Sequence, residues 1–149
     1  MILGDNLFHG PSLGESLGRI ANNDSATVLS YRVADPENYG VVSFDRGGNP
    51  EKIEEKPTAP ESNWIIPGLY FLNDSWFSKS QSLKPSNRGE LEITDLNNRY
   101  LDEGQLRVQK LGRGFAWFDA GTHQAMADAG VFINAIEARQ GIKGACLEE

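Results

Sequence analysis

Ala116-Trp117-Phe118-Asp119-Ala120-Gly121-Thr122 decides the fold. Ala116, Trp117 and Phe118 read as a short strand, Asp119 follows it, and Thr122 is placed to cap the unpaired N–H groups of a helix start. A strand that passes through a tight turn into a helix is the repeating step of an α/β domain. Downstream, Ala125, Ala129, Phe132, Ile133 and Ile136 recur at helical spacing, which predicts a helix over 122–140 with Gly141 as its C-cap. Upstream, 106–111 reads as a strand. Before it, 92–103 reads as a helix with Ile93, Leu96, Tyr100 and Leu101 on one side and Gly104 at its end.

The same alternation extends toward the amino terminus. The unusually apolar run 63–72 is expected to be a central strand, after which Asp74 caps a short helix carrying Trp76 and Phe77. Residues 40–44 and 51–55 flank a Gly- and Asn-rich turn and read as a hairpin, which Lys56-Pro57 ends because proline cannot donate to a ladder. Residues 27–33 are β-branched and apolar, a buried strand. Ser12 and Glu15 have the spacing of a capping box ahead of a helix with Leu13, Leu17 and Ile20 inward, although Gly14 and Gly18 weaken it. Met1-Ile2-Leu3 reads as the last residues of a strand. The expectation is one partial α/β domain over 1–149, with a mostly parallel or mixed sheet, an inserted β-hairpin, and truncation at both ends. Its apolar strands around Val28-Leu29 and Ile65-Ile66 are expected to be left with an uncovered edge, favouring a homo-oligomer.

Composition limits the function. Of 149 residues, 39% are hydrophobic, and 14 Lys+Arg face 21 Asp+Glu for a net charge of −7. That sign excludes generic binding to nucleic acid or anionic membrane, both of which need a positive field. No apolar run reaches the roughly 20 residues of a membrane span. The first residues carry an acid where a secretory signal needs a cation, and Cys146 is a single cysteine, so the expected location is cytoplasmic.

Four places could carry chemistry. Asp5, in Leu3-Gly4-Asp5-Asn6, follows a strand end, where open α/β sheets bind ligands; it is a Mg²⁺ ligand or the cap of a turn. Asp119 has the same setting and the same two readings, metal ligand or helix cap. In Glu54-Glu55-Lys56-Pro57, the lysine either holds an anion with Glu55 accepting sugar hydroxyls, or belongs to a solvated turn with an incidental ion pair. Arg88 either makes a bidentate phosphate contact or is a loop residue, and Thr94 and Asp95 read as first-turn residues.

In order, Leu3-Gly4-Asp5-Asn6, Tyr39-Gly40-Val41-Val42, Glu54-Glu55-Lys56-Pro57, Gly68-Leu69-Tyr70, the run from Arg88 to Asp95 and Trp117-Phe118-Asp119-Ala120-Gly121-Thr122 resemble the glucose-1-phosphate thymidylyltransferase family. The resemblance implies a Rossmann-like nucleotidyltransferase fold. It also implies a reaction in which a phosphate oxygen of glucose 1-phosphate attacks the α-phosphorus of dTTP, giving dTDP-glucose and pyrophosphate. By the same resemblance Asp5 and Asp119 would hold Mg²⁺, and Lys56 and Arg88 would meet phosphate. Gly40, Glu55, Ile66 and Tyr70 would form the sugar pocket, with Trp117 as its wall. The family's Gly-Gly-x-Gly-Thr-Arg-Leu nucleotide loop does not occur in the 149 residues. The expectation is therefore a sugar-phosphate-binding part that binds dTTP only alongside the missing half and shows no catalysis alone.

Overall fold

The computed structural model describes residues 1–86, 89–141 and 143, so the expectation for Arg88, and the position of Cys146, lie outside the described residues. The elements are β1 (Asn6–His9), α1 (Leu13–Ala21), β2 (Ala26–Arg32), β3 (Gly40–Phe44), β4 (Pro50–Glu55), β5 (Trp64–Ile65), β6 (Tyr70–Phe71), α2 (Trp76–Ser80), α3 (Ile93–Asp102), β7 (Leu106–Lys110), β8 (Ala116–Asp119) and α4 (His123–Gln140).

The larger sheet is built on β2. This strand pairs antiparallel with β5 and β6 and parallel with β7, while the β3–β4 hairpin extends the sheet beyond β5. A strand paired on both flanks and covered on its faces has no solvent-facing side, which is why Ala26, Thr27, Val28, Leu29 and Ser30 are all buried. Helix α3 packs against the sheet, with Leu96 and Tyr100 joining Ala26, Val28, Val42, Ile53 and Leu106 in the main core. Burial of one such aliphatic side chain contributes about 1.5–3 kcal/mol. A second cluster of Ile20, Leu29 and Leu111 fixes α1 on the other side of β2.

The hairpin, the buried strand β2, and helices α3 and α4 follow the sequence. Thr122 Oγ1 accepts from Ala125 N–H at 3.1 Å, and Gly141 takes the left-handed conformation at φ 69°. The run 63–72 differs. It is two short strands, β5 and β6, separated by Ile66-Pro67-Gly68-Leu69, because Pro67 has no N–H to give and the chain there turns its amides elsewhere. Ile66 N–H reaches Gly40 O at 2.8 Å, and Gly68 N–H reaches Asn6 Oδ1 at 3.0 Å.

Three smaller expectations are corrected. Ser12 lies in the left-handed region at φ 50° and makes no side-chain cap, so the capping box is absent. Asn73, not Asp74, organises the start of α2, its Oδ1 accepting from Ser75 N, Ser75 Oγ and Tyr100 OH. The Val28-Leu29 and Ile65-Ile66 strands are buried inside the sheet and leave no apolar edge. Exposed apolar side chains lie instead on Met1-Ile2-Leu3, on Trp76, Phe77 and Leu91, and on Met126 and Val131 of α4.

An amino-terminal strand and a carboxyl-terminal one form a small second sheet. Strands β1 and β8 pair antiparallel with Asn6 opposite Asp119 and Phe8 opposite Trp117. The β1 strand is absent from the sequence reading, where Gly4-Asp5-Asn6 carried a turn signal and the next four residues are too few for clear alternation. Met1 to Leu3 lies beside Gly68 to Tyr70, with Leu3 N–H on Gly68 O at 2.8 Å and Tyr70 N–H on Met1 O at 2.9 Å. This ribbon carries Asp5 and Asp119 to the mouth of the larger sheet.

Candidate functional site

Asp5 and Asp119 are 114 positions apart in sequence and adjacent in space, counting from residue 5 to residue 119. The β1–β8 register sets Asp119 across from Asn6, and Ala120 N–H donates to Asp5 O at 2.7 Å. A Cβ added to Gly121 would stand 3.1 Å from Asp119 Oδ1 and 3.4 Å from Asp5 Oδ2, so both carboxylates face one small space that only a glycine leaves open. Asp119 Oδ1 accepts from Gly121 N–H at 3.1 Å, and Asp5 Oδ1 accepts from Asn6 Nδ2 at 2.9 Å. Neither carboxylate is in an ion pair among the described residues. Two hard oxygen donors that share a space without a cation suit a divalent metal such as Mg²⁺, which commonly takes one or two carboxylates and fills its shell with water and substrate oxygen. No group of three His, Cys, Asp or Glu side chains with metal-binding geometry occurs among the described residues.

Beside this pair opens a cavity of about 210 Å³. Gly40, Glu55, Lys56, Ile66, Tyr70, Trp117 and Asp119 all line it, so the structure gathers most of the expected sugar-site residues around one space. Gly40 is placed by the hairpin: a Cβ there would stand 3.1 Å from Thr94 Oγ1 and 3.4 Å from Glu55 Oε2. Its lack of a side chain keeps that corner free. Glu55, at the end of β4, accepts from Thr94 Oγ1 at 2.6 Å.

Lys56 follows with a backbone φ of 43°, in the left-handed region that costs a non-glycine residue on the order of 1 kcal/mol or more. Its N–H is held by Tyr39 O at 3.0 Å, which over-determines the bend. Lys56 makes no ion pair among the described residues, and the charge contact nearby is within β4, Lys52 with Glu54, 2.9 Å apart. The exposed ammonium of Lys56 is therefore available to an anion at the cavity mouth.

Trp117 is held on three sides. Its Nε1–H donates to Asn6 Oδ1 at 2.7 Å, and its ring meets Tyr39 and Tyr31 edge-on at 5.3 and 6.0 Å. Tyr70 is buried, and that burial, reinforced by the Glu55 carboxylate, pushes its phenol up to about 12. It is a neutral group at ordinary pH. Burial also raises Tyr39, with Asp35 and then Asp119 adding to the effect.

Sequence reasoning missed Asn6, Tyr39 and Asn97 as lining residues, and it read Thr94 only as a first-turn residue. A signal was present for two of them. Thr94 and Asn97 are polar residues three apart on the otherwise apolar inner face of α3, and both are buried.

A family model described as nucleotidyl transferase matches residues 1–135. Among curated proteins, the chain is 51% identical over 150 residues to a glucose-1-phosphate thymidylyltransferase of Xanthomonas campestris pv. campestris strain B100, covering 100% of this chain and 51% of that protein. The Neisseria gonorrhoeae protein of the same name is 49% identical, with 100% of this chain and 52% of that protein covered. The chain spans about half the length of the curated relatives it matches. Among solved structures, a Bacillus anthracis protein described as a glucose-1-phosphate thymidylyltransferase, in complex with sucrose, superposes with a TM-score of 0.74 at 39% identity, over 88% of this chain and 52% of that one. An apo UDP-glucose pyrophosphorylase gives a TM-score of 0.76 at 20% identity over 93% of this chain and 54% of that one, a likeness of fold. The fold is a Rossmann-like mixed α/β fold, and the chain belongs to the nucleotidyl transferase family.

Proposed function

We propose that this chain forms the sugar-phosphate and metal side of a glucose-1-phosphate thymidylyltransferase, which makes dTDP-glucose and pyrophosphate from dTTP and glucose 1-phosphate. One observation carries the reading: an ammonium, a set of buried hydrogen-bonding groups and a carboxylate of an acidic pair line the same cavity. That is a complement to a hydroxylated anion. Lys56 holds the phosphate as a point charge, and Arg88 is the second cation proposed for it. Glu55 accepts sugar hydroxyls, the neutral Tyr70 and the backbone at Gly40 and Ile66 shape the pocket, and Trp117 walls it.

Asp5 and Asp119 would hold Mg²⁺, which when bound neutralises phosphate charge as a Lewis acid. The chain's own contribution is positioning. Lys56 and the pocket floor fix the sugar at both ends, so that its phosphate oxygen is presented in one direction, an effect that can lower a barrier by several kcal/mol. The partners proposed are glucose 1-phosphate, dTTP and, through the exposed apolar residues of α4, a second copy of the chain. Among the described residues no helix is long and apolar enough to cross a membrane.

Calorimetric titration of the chain with glucose 1-phosphate, with glucose and with inorganic phosphate tests the reading. Binding tightest for glucose 1-phosphate is expected, and no preference over phosphate would overturn it.

A further inference from the structure

Arg19 and Arg107 line one cavity of about 400 Å³ that shares no lining residue with the sugar-phosphate cavity. The β2–β7 register builds it. Thr27 stands beside Arg107 and Leu29 beside Gln109, and in-register neighbours of a parallel pair share one face of the sheet. Leu29 packs with Ile20, so this is the face that α1 covers. The last turn of α1 therefore brings Arg19, and the loop after it Asn23, over the start of β7. Arg19, Asn23, Arg107 and Gln109 are all exposed, so their side chains are open to a ligand.

Each arginine has a local reason. A cation in the last turn of a helix suits its dipole, and a charge on an edge strand discourages strand pairing. Neither reason brings the two to one cavity. Guanidinium groups around one space repel each other, yet none of the chain's 21 Asp+Glu lines it. Neither arginine is in an ion pair among the described residues, and Arg19 Nη2 is directed by a 3.1 Å bond to Ser16 Oγ. An anion resolves the arrangement. Planar guanidinium forks match phosphate oxygens, and the side-chain amides of Asn23 and Gln109 add neutral donors.

We propose that Arg19, Arg107, Asn23 and Gln109 form a second anion site, for the phosphate group of a small molecule, separate from the cavity at Lys56. Its existence does not depend on whether the Lys56 cavity takes a sugar phosphate.

The test follows the arginine Nε–H resonances by NMR during titration with inorganic phosphate and with methyl phosphate, at constant ionic strength. Those of Arg19 and Arg107 are expected to shift and saturate, while that of Arg46, in the β3–β4 turn, stays in place. Saturation by inorganic phosphate marks a site for the phosphate group itself; saturation by methyl phosphate alone marks a site for a phosphate ester. Arg19→Gln and Arg107→Gln are each expected to weaken binding about tenfold, the worth of one charge-assisted contact, and Lys56→Ala to leave it unchanged. Shifts that grow without saturating, or that Arg46 shares, would reflect screening of exposed charge and overturn the proposal. Loss of the Arg19 and Arg107 shifts in Lys56→Ala would merge the two cavities into one site and overturn it as well. Should a glutamine variant fail to fold, the wild-type resonances decide alone.

Discussion

Asn6 Oδ1 stands 2.7 Å from Trp117 Nε1 and accepts its indole proton across the β1–β8 ribbon. The same oxygen accepts from Gly68 N–H at 3.0 Å, and the amide nitrogen of Asn6 donates to Asp5 at 2.9 Å. One side chain thus ties a cavity wall, the break between β5 and β6, and an acid of the proposed metal pair. Gly68 is required for this approach, because a Cβ there would come within 2.7 Å of Asn6 Nδ2.

Asn6→Ala is therefore expected to destabilise the fold by about 2 kcal/mol, since it leaves two N–H donors unpaired. Asn6→Asp keeps an acceptor and is expected to cost less in stability. Urea denaturation of both variants, followed by tryptophan fluorescence, checks the order.

The elements set by local chemistry were legible before the structure. Thr122 and Gly141 bound α4 because a cap and a left-handed glycine act within one turn, and the β3–β4 hairpin follows from alternation around Gly47-Gly48. The interruption at Pro67 is local too, yet the apolar run around it outweighed it in the reading. Asn6 was not legible as a site residue. Asn6 acts through Gly68 and Trp117, 62 and 111 positions away, and such pairings are set by tertiary register and leave no periodic trace. Asp5 and Asp119 were visible as candidates only because each follows a strand, and their convergence depends on β1, which the reading lacked.

Charge removal at the acidic pair is expected to weaken metal binding with little effect on folding. Asp5→Asn and Asp119→Asn should each reduce Mn²⁺ affinity, with Mn²⁺ as a paramagnetic stand-in for Mg²⁺, by at least roughly tenfold. Asp45→Asn, in the hairpin turn, should leave it unchanged. Water-proton relaxation during Mn²⁺ titration measures all three; equal affinities would separate the pair from any metal role.

Lys56→Ala should lower glucose 1-phosphate affinity roughly ten- to a hundredfold, the worth of a charge-assisted phosphate contact. Lys52→Ala is the matched control, an exposed lysine on β4, the strand that precedes Lys56, and it pairs with Glu54. Lys79 would be a poor control because it packs over the Tyr100 ring and pairs with Glu103. Titration by calorimetry checks the difference, and equal losses in the two variants would remove Lys56 from the site.

Helix α4 leaves apolar surface uncovered: Met126 is 62% and Val131 71% exposed, while Phe132, Ile133 and Ile136 are only half-buried. The chain is expected to self-associate at micromolar concentration through this face. Light scattering should give a mass above the monomer, and Met126→Glu combined with Val131→Glu should bring it down. A monomer in both cases would count against the association.

The buried phenol of Tyr70 makes stability fall at high pH. Its folded value lies at about 12 and its ordinary value at 10.0, so the folded chain keeps a proton that the unfolded chain has already lost between those limits. The unfolded state then binds fewer protons, and stability decreases with rising pH across that window. Below pH 10 the phenol is neutral in both states and its full contribution is present; above about 12 it has gone. A shift of that size corresponds to roughly 2–3 kcal/mol. Tyr39, also raised, adds in the same direction. Tyr70→Phe cannot ionise, keeps the ring, and is expected to flatten the decline between pH 10 and 12. Urea midpoints for wild type and variant at a series of alkaline pH values measure it, and parallel declines in the two proteins would show that Tyr70 is not the titrating group.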